Sequence, residues 1–300
     1  MKELWEYSAI DYVYWQGLNL CKVCLAAGYD LRRTLLEIEK YSECLLDYNQ
    51  AIRQRLITPL HQSVLNLMGK SPNESLLVGE IIDEEMIRTD LKNDDVALSQ
   101  LELIAMFTAY FFNDYGRAYQ AWQRQKKYNI AVLVGPDCWM TLRIFYSGLV
   151  LAAICREKKH RSEKRKAQSQ LLQLRLWNQQ GNVACRHMCL ILEAELLTVS
   201  TGAKPDLQEI LSLYVKAAEA AYEVSMIQHQ ALAYELAGRF AHSQGDHSLS
   251  SKYFSISIDL YYSWGASGKV DQIRNDFLDV LLSDTGGIDR AAEFTVSISV

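Results

Sequence analysis

The stretch from Gln230 to Val270, QALAYELAGRFAHSQGDHSLSSKYFSISIDLYYSWGASGKV, constrains the fold more than any other part of the chain. Leu232, Leu236, Phe240 and Ala241 recur at i, i+4, i+8 and i+9, the apolar stripe of an amphipathic helix. Gln244-Gly245-Asp246 interrupts it, and a second stripe follows through Leu249, Tyr253, Ile256 and Leu260. Two helices on either side of a short glycine turn predict an αα-hairpin. A lone hairpin cannot bury its apolar face, so the pattern also demands stacked neighbours.

The finer spacing points the same way. Tyr234, Gly238, Gly245, Asp246, Ser250, Phe254 and Ser257 stand where a tetratricopeptide repeat places its aromatics, glycines and small residues. Small side chains at Gly238, Ser250 and Ser257 let two helices approach closely, with Tyr234 and Phe254 filling the space beside them. Weaker copies occur upstream. Ala118 and Trp122 follow Asp114 at the spacing that Ser250 and Phe254 show after Asp246, with Gln125 where a small residue is wanted. Ile210, Tyr214 and Ala217 repeat the spacing of Ser250, Phe254 and Ser257, and Gly202 precedes Gly245 by 43 residues. The expected fold is all-α: an α-solenoid of tetratricopeptide-like antiparallel hairpins over residues 1–283, with a loosely ordered tail at 284–300.

Along the rest of the chain, helices are expected from Trp5 to Gly28, from Leu31 (capped by Asp30) to about Asn49, and from Ala51 to Met68, where Pro59 is a candidate kink. Leu76–Asp95 is acidic and reads as a short helix and a loop with a solvated face. Apolar helices follow over Val96–Phe112 and Cys138–Ala153. Arg156–Lys166, with seven Lys/Arg against two Glu, reads as a polar turn opening a helix over Ala167–Asn178. The competing reading of that run is a patch for an acidic partner or anionic lipid. Asn182 is the expected cap of the next helix, Pro205 the opening of the one after, and Asp271–Leu282 the last.

Composition narrows the function. A net charge of −5 leaves nothing broadly basic to neutralise phosphates, so a general nucleic-acid binder is not expected. No run of apolar residues is long enough for a membrane span, and no secretory signal opens the sequence. Seven scattered cysteines fit reduced thiols in a cytoplasmic protein.

Catalytic signatures are missing. Gly69-Lys70-Ser71 resembles the end of a phosphate-binding loop, but Val64 stands where that loop needs glycine. Cys21 and Cys24, and Cys185 and Cys189 beside His187, have ligand spacing but read as buried apolar residues. No histidine has a spaced partner that nominates a metal site, and Glu193 and Glu195 lie on different sides of a helix. Neither catalytic residues nor cofactors are expected.

Taken in order, several stretches resemble the helical segment of large multidomain signalling kinases. They are LLVGE (Leu76–Glu80), FFNDYGRAYQAW (Phe111–Trp122), FYSGLVLAA (Phe145–Ala153), LWNQQGNVACRHMCLILEAELL (Leu176–Leu197), YVKAAEAA (Tyr214–Ala221) and ALAYELAGRF…YYSWGASGKV. In that family a Ser/Thr-kinase-like domain and an AAA-type ATPase domain precede the helical array, and GAF and histidine-kinase modules follow it. The resemblance spans residues 10–280 and implies a non-catalytic scaffold for protein–protein interaction in signal transduction, a regulatory linker between ATPase and kinase modules. Its expected partner is a peptide or helix of a signalling kinase or ATPase, held on the concave face. The alternative is a fragment of a larger kinase or ATPase whose catalytic domains lie outside this sequence. A third reading is a small-molecule sensor with an aromatic pocket near Trp15, Trp122 or Trp139.

Overall fold

A computed structural model describes residues 15–47, 51–128, 138–158, 161–199 and 206–283. The described residues are helical throughout, apart from turns and a single isolated bridge between Val78 and Asp83. In chain order the helices are α1 (15–26), α2 (Leu31–Asp47), α3 (Ala51–Leu67), α4 (Glu84–Asp90), α5 (Asp95–Phe111), α6 (Tyr115–Gln125) and α7 (Cys138–Lys158). Then come α8 (Arg161–Gln179), α9 (Cys185–Thr198), α10 (Leu207–Glu223), α11 (Ile227–Ser243), α12 (His247–Trp264), α13 (Ser267–Asp276) and α14 (Leu278–Ser283).

Aspartate starts many of them. Asp83, Asp94, Asp114, Asp206 and Asp246 each accept a backbone N–H of the first turn, which satisfies donors that have no partner within the helix. Asp30 does the same for Arg33 at 3.1 Å. Gly28, Gly69, Gly245 and Gly265 leave helices in the left-handed region.

Consecutive helices pair antiparallel. Between α11 and α12, Ser250 Oγ donates to Gly238 O and Ser257 Oγ to Ala231 O, both at 3.0 Å, so contacts move outward from the turn on both strands of the hairpin. Between α9 and α10, Tyr214 reaches Glu195 and Arg186 reaches Glu223. Alternate helices instead run parallel and in register. Ser63 of α3 meets Thr108 of α5, 45 residues on, and Met106 of α5 meets Ser147 of α7, 41 on. Arg156 of α7 meets Glu195 of α9, 39 on, and His187 of α9 meets His229 of α11, 42 on. α3, α5, α7, α9 and α11 thus form a common layer. In its centre α5 is buried on all sides from Leu101 to Phe111, and its buried polar members there, Glu102 and Thr108, are bonded to Arg88 and to Ser63.

The two ends of this layer meet. Trp264 Nε1 donates to Tyr29 O at 3.0 Å across 235 residues, and Gln228 Nε2 to Ala26 O at 2.8 Å. Trp139 Nε1 donates to Lys22 O at 3.0 Å, so the end of α1 lies against the starts of α7 and α11. At the far end α13 docks on the end of α3. A Cβ at Gly268 would stand 2.7 Å from Asn66 O and 2.8 Å from Gly69 N, both backbone atoms that cannot yield. Gly268→Ala is therefore expected to destabilise by about 1–3 kcal/mol in urea unfolding. Gly116→Ala, whose Cβ would meet only Asp114 Oδ1 at 3.8 Å, is expected to be neutral or stabilising.

Several sequence expectations are corrected. Helix takes up more of the basic run than expected: α7 continues to Lys158 and α8 begins at Arg161 rather than Ala167, with Glu163 pairing with Lys166 one turn on, at 2.8 Å, while 159–160 lie outside the described residues. Asn182 does not cap α9 through its side chain; the cap position is Ala184, and Asn182 contributes its carbonyl to Cys185 N. The last helix starts earlier, at Ser267, and breaks at Phe277 (φ −130°) into α13 and α14. The buried face of α12 is not Leu249, Tyr253, Ile256 and Leu260, which are only partly covered; Ser250, Phe254, Ser257, Ile258, Tyr261 and Trp264 form it. The small serines win because they let α11 come close enough to bond through its carbonyls. α3 runs through Pro59 unbroken. The expected helix start before residue 15 and the tail at 284–300 lie outside the described residues.

Candidate interaction surface

The residues singled out by repeat spacing sit at helix–helix contacts. Ala118, Tyr214, Ala217, Ser250, Phe254 and Ser257 have no solvent-accessible surface. A Cβ on Gly238 would stand 2.8 Å from the Phe254 ring. Gly245 makes the left-handed turn at φ 83°. Trp122 is buried, stacks on Tyr119 and carries Lys126 and Lys166 over its ring at 4.9 and 5.5 Å. Gln125 is buried too, where a small residue was expected. Tyr234 does not join Phe254; it is half-buried and stacks on Tyr253 at 6.1 Å.

Sequence spacing missed the polar centre of the molecule. Glu235 of α11, almost fully buried, accepts from Lys269 Nζ at 2.8 Å, Arg239 Nε at 2.9 Å and Tyr261 OH at 2.9 Å. Burial works against its charge, yet Lys269 and Arg239 hold its carboxyl below the usual range. Burial lowers Lys269 to about 8 against the pull of Glu235, so the pair is ionic at neutral pH. Lys269 also donates to Phe111 O at the end of α5. One helix over, Glu195 accepts from Tyr214 OH at 2.5 Å and pairs with Arg156, whose guanidinium also meets Thr198 Oγ1 at 3.2 Å.

A second buried group joins three parallel helices. Tyr146 OH lies 3.0 Å from His229 Nε2, and His229 Nδ1 lies 2.8 Å from His187 Nε2. Both imidazoles are wholly buried, and His187 Nδ1 has no partner. Either direction of hydrogen donation along this row leaves that nitrogen unmatched. Burial pushes His187 down to about 3 and His229 well below the ordinary histidine value, so both are neutral.

These groups take their partners from within the fold. Burial raises the Cys185 thiol to about 11 and Cys189 to about 12, which leaves neither a nucleophile at neutral pH. Among the described residues no group of three His, Cys, Asp or Glu side chains could hold a metal ion. Among the described residues one helix, over Trp139–Glu157, is long and apolar enough to cross a membrane by length and composition, and 72% of that window is buried inside the protein. Trp139 is buried against α1, and Trp15 is 49% exposed.

The open features face outward. A cleft of about 300 Å³ between α8, α9 and α10 is lined by Arg175, Arg186, Lys216, Glu219 and Glu223. Two of its cations are paired, Arg186 with Glu223 at 2.9 Å and Arg175 with the neighbouring Glu193 at 2.8 Å. Beside it Leu172 (64%) and Leu176 (46%) are exposed on α8, as is Met86 (69%) on α4. No family model and no curated protein matches the chain.

Proposed function

We propose that the chain is a tetratricopeptide-like α-solenoid acting as a non-catalytic scaffold for protein–protein interaction. Its place, on the resemblance of its ordered motifs, is signal transduction in the cytoplasm, as a regulatory linker between ATPase and kinase modules. The observation that carries this reading is the parallel layer of α3, α5, α7, α9 and α11, whose members contact one another at separations of 39 to 45 residues. A repeated hairpin stacking on its own copies produces such a constant offset. The buried ionic groups support it, because their partners come from the helices packed around them. On this reading the partner is a peptide or helix of a signalling kinase or ATPase, and since α1 lies against the starts of α7 and α11 we take the outer helix faces rather than the concave one as its seat. The Gly238, Ser250, Phe254 and Ser257 set, with its counterparts Ala118, Trp122, Tyr214 and Ala217, then serves packing alone.

The purified chain is expected to release no phosphate from ATP or GTP above the buffer rate. Turnover that a single substitution within these residues abolishes would overturn the scaffold reading. Detection of the native polypeptide with an antibody against Gln230–Val270 separates the two forms of it. A band near 34.3 kDa marks a stand-alone adaptor, and one several-fold larger marks the linker of a multidomain kinase.

A further inference from the structure

His242, in the last turn of α11, and His247, at the start of α12, face each other across the hairpin turn. Their ring centres lie 5.6 Å apart, with the ring planes at 65°. Both residues are exposed, and neither imidazole is hydrogen-bonded or ion-paired among the described residues. A spacing of five residues does not place two side chains together on one helix face, so it is the turn that closes the gap. That turn is held from both sides. Gly245 N donates to His242 O and Asp246 N to Ala241 O, both at 3.0 Å, and Asp246 Oδ1 accepts from Leu249 N at 3.0 Å. The His242 ring also has a wall. Phe277 meets it in a T-shaped contact at 5.3 Å and is itself stacked on Phe254 at 4.2 Å. Arg239, one turn before His242, is held by Glu235 at 2.9 Å.

Two imidazoles that share one tetrahedral cation at about 2 Å per nitrogen have ring centres roughly 5 Å apart. The separation here is slightly larger, and a small rotation of either exposed side chain closes it. The buried pair His187 and His229 is different, because their nitrogens bond each other at 2.8 Å and leave no room for an ion between them. We infer that His242 and His247 form a site for one divalent transition-metal cation, which clips the end of α11 to the start of α12. Imidazole nitrogen favours the later first-row ions, Cu²⁺, Ni²⁺ and Zn²⁺, whereas Mg²⁺ and Ca²⁺ take oxygen ligands. Among the described residues no third His, Cys, Asp or Glu completes the set, so water fills the remaining positions. Because the cation joins two helices that separate on unfolding, its binding adds to the stability of the folded chain. This inference stands apart from the scaffold reading.

Calorimetric titration of the reduced full chain with Zn²⁺, in a buffer free of chelators, tests it. Saturable Zn²⁺ binding is expected, with a thermal midpoint that rises with Zn²⁺ and not with Mg²⁺. His242→Gln and His247→Gln change exposed side chains and remove one ligand each. Each is expected to weaken binding at least about tenfold and to abolish the thermal shift, with unchanged circular dichroism. With Co²⁺ in place of Zn²⁺, paramagnetic broadening of amide resonances is expected to centre on Gln244–Asp246. A chain that binds no Zn²⁺ up to millimolar concentration would overturn the inference. Binding that the double variant His242→Gln/His247→Gln retains would overturn it by placing the metal on other ligands.

Discussion

Lys269→Met is expected to destabilise the protein by about 3–5 kcal/mol, the largest loss from any single substitution considered. The ammonium is 1% exposed and meets Glu235 Oε1 at 2.8 Å and the Phe111 carbonyl. Removing it leaves a buried carboxylate with Arg239 as its remaining cation and strips the end of α5 of a donor. The expected readout is a fall in the urea midpoint with an unchanged slope. Pairing Lys269→Met with Glu235→Leu is expected to recover part of the loss, because the charge that was uncovered is then gone. A double variant as unstable as the sum of the two singles would show that the ion pair is not the source, since coupled partners deviate from additivity.

Mild acid is expected to open the histidine row. His187 and His229 bind protons less readily in the folded state than in the unfolded chain, where histidine titrates near 6.5. Their contribution is complete above about pH 6.5 and falls as the pH drops towards the folded value, about 3 for His187. Each loses about 1.4 kcal/mol per pH unit in that window, so the pair removes about 4 kcal/mol between neutrality and about pH 5. His61, also lowered by burial, adds in the same direction. Glu235 acts at lower pH, since its carboxyl is depressed and protonates only below the ordinary carboxylate range. Unfolding free energies measured at a series of pH values check this. His187→Gln is expected to remove roughly half of the slope between about pH 5 and 6.5, and an unchanged slope would assign it to other groups.

The hairpin at Gln230–Val270 was legible because its signals are local. A helical apolar period, an aspartate cap and a glycine turn all act within a few residues, and Gly238 and Ser250 disclose close packing by their size. Boundaries were less legible where tertiary contacts decide them. The helix that opens at Arg161 within the basic run carries a buried Glu163 that holds Lys166, and no propensity reports that burial. The polar centre was invisible for a different reason. His187 and His229 lie 42 residues apart, and Lys269 lies 158 from Phe111, so nothing in a local window pairs them. Their only trace in the sequence is a charged or titratable residue inside an apolar run, Glu235 in ALAYELAGRF and Glu195 in LILEAELL.

The contact between Trp264 and Tyr29 fixes the number of helices as firmly as it fixes their packing. An open stack tolerates the gain or loss of a unit, because each unit meets only its neighbours. Here one additional hairpin would carry α12 and α13 a full step away from Tyr29, Asn66 and Phe111, undoing all three attachments at once.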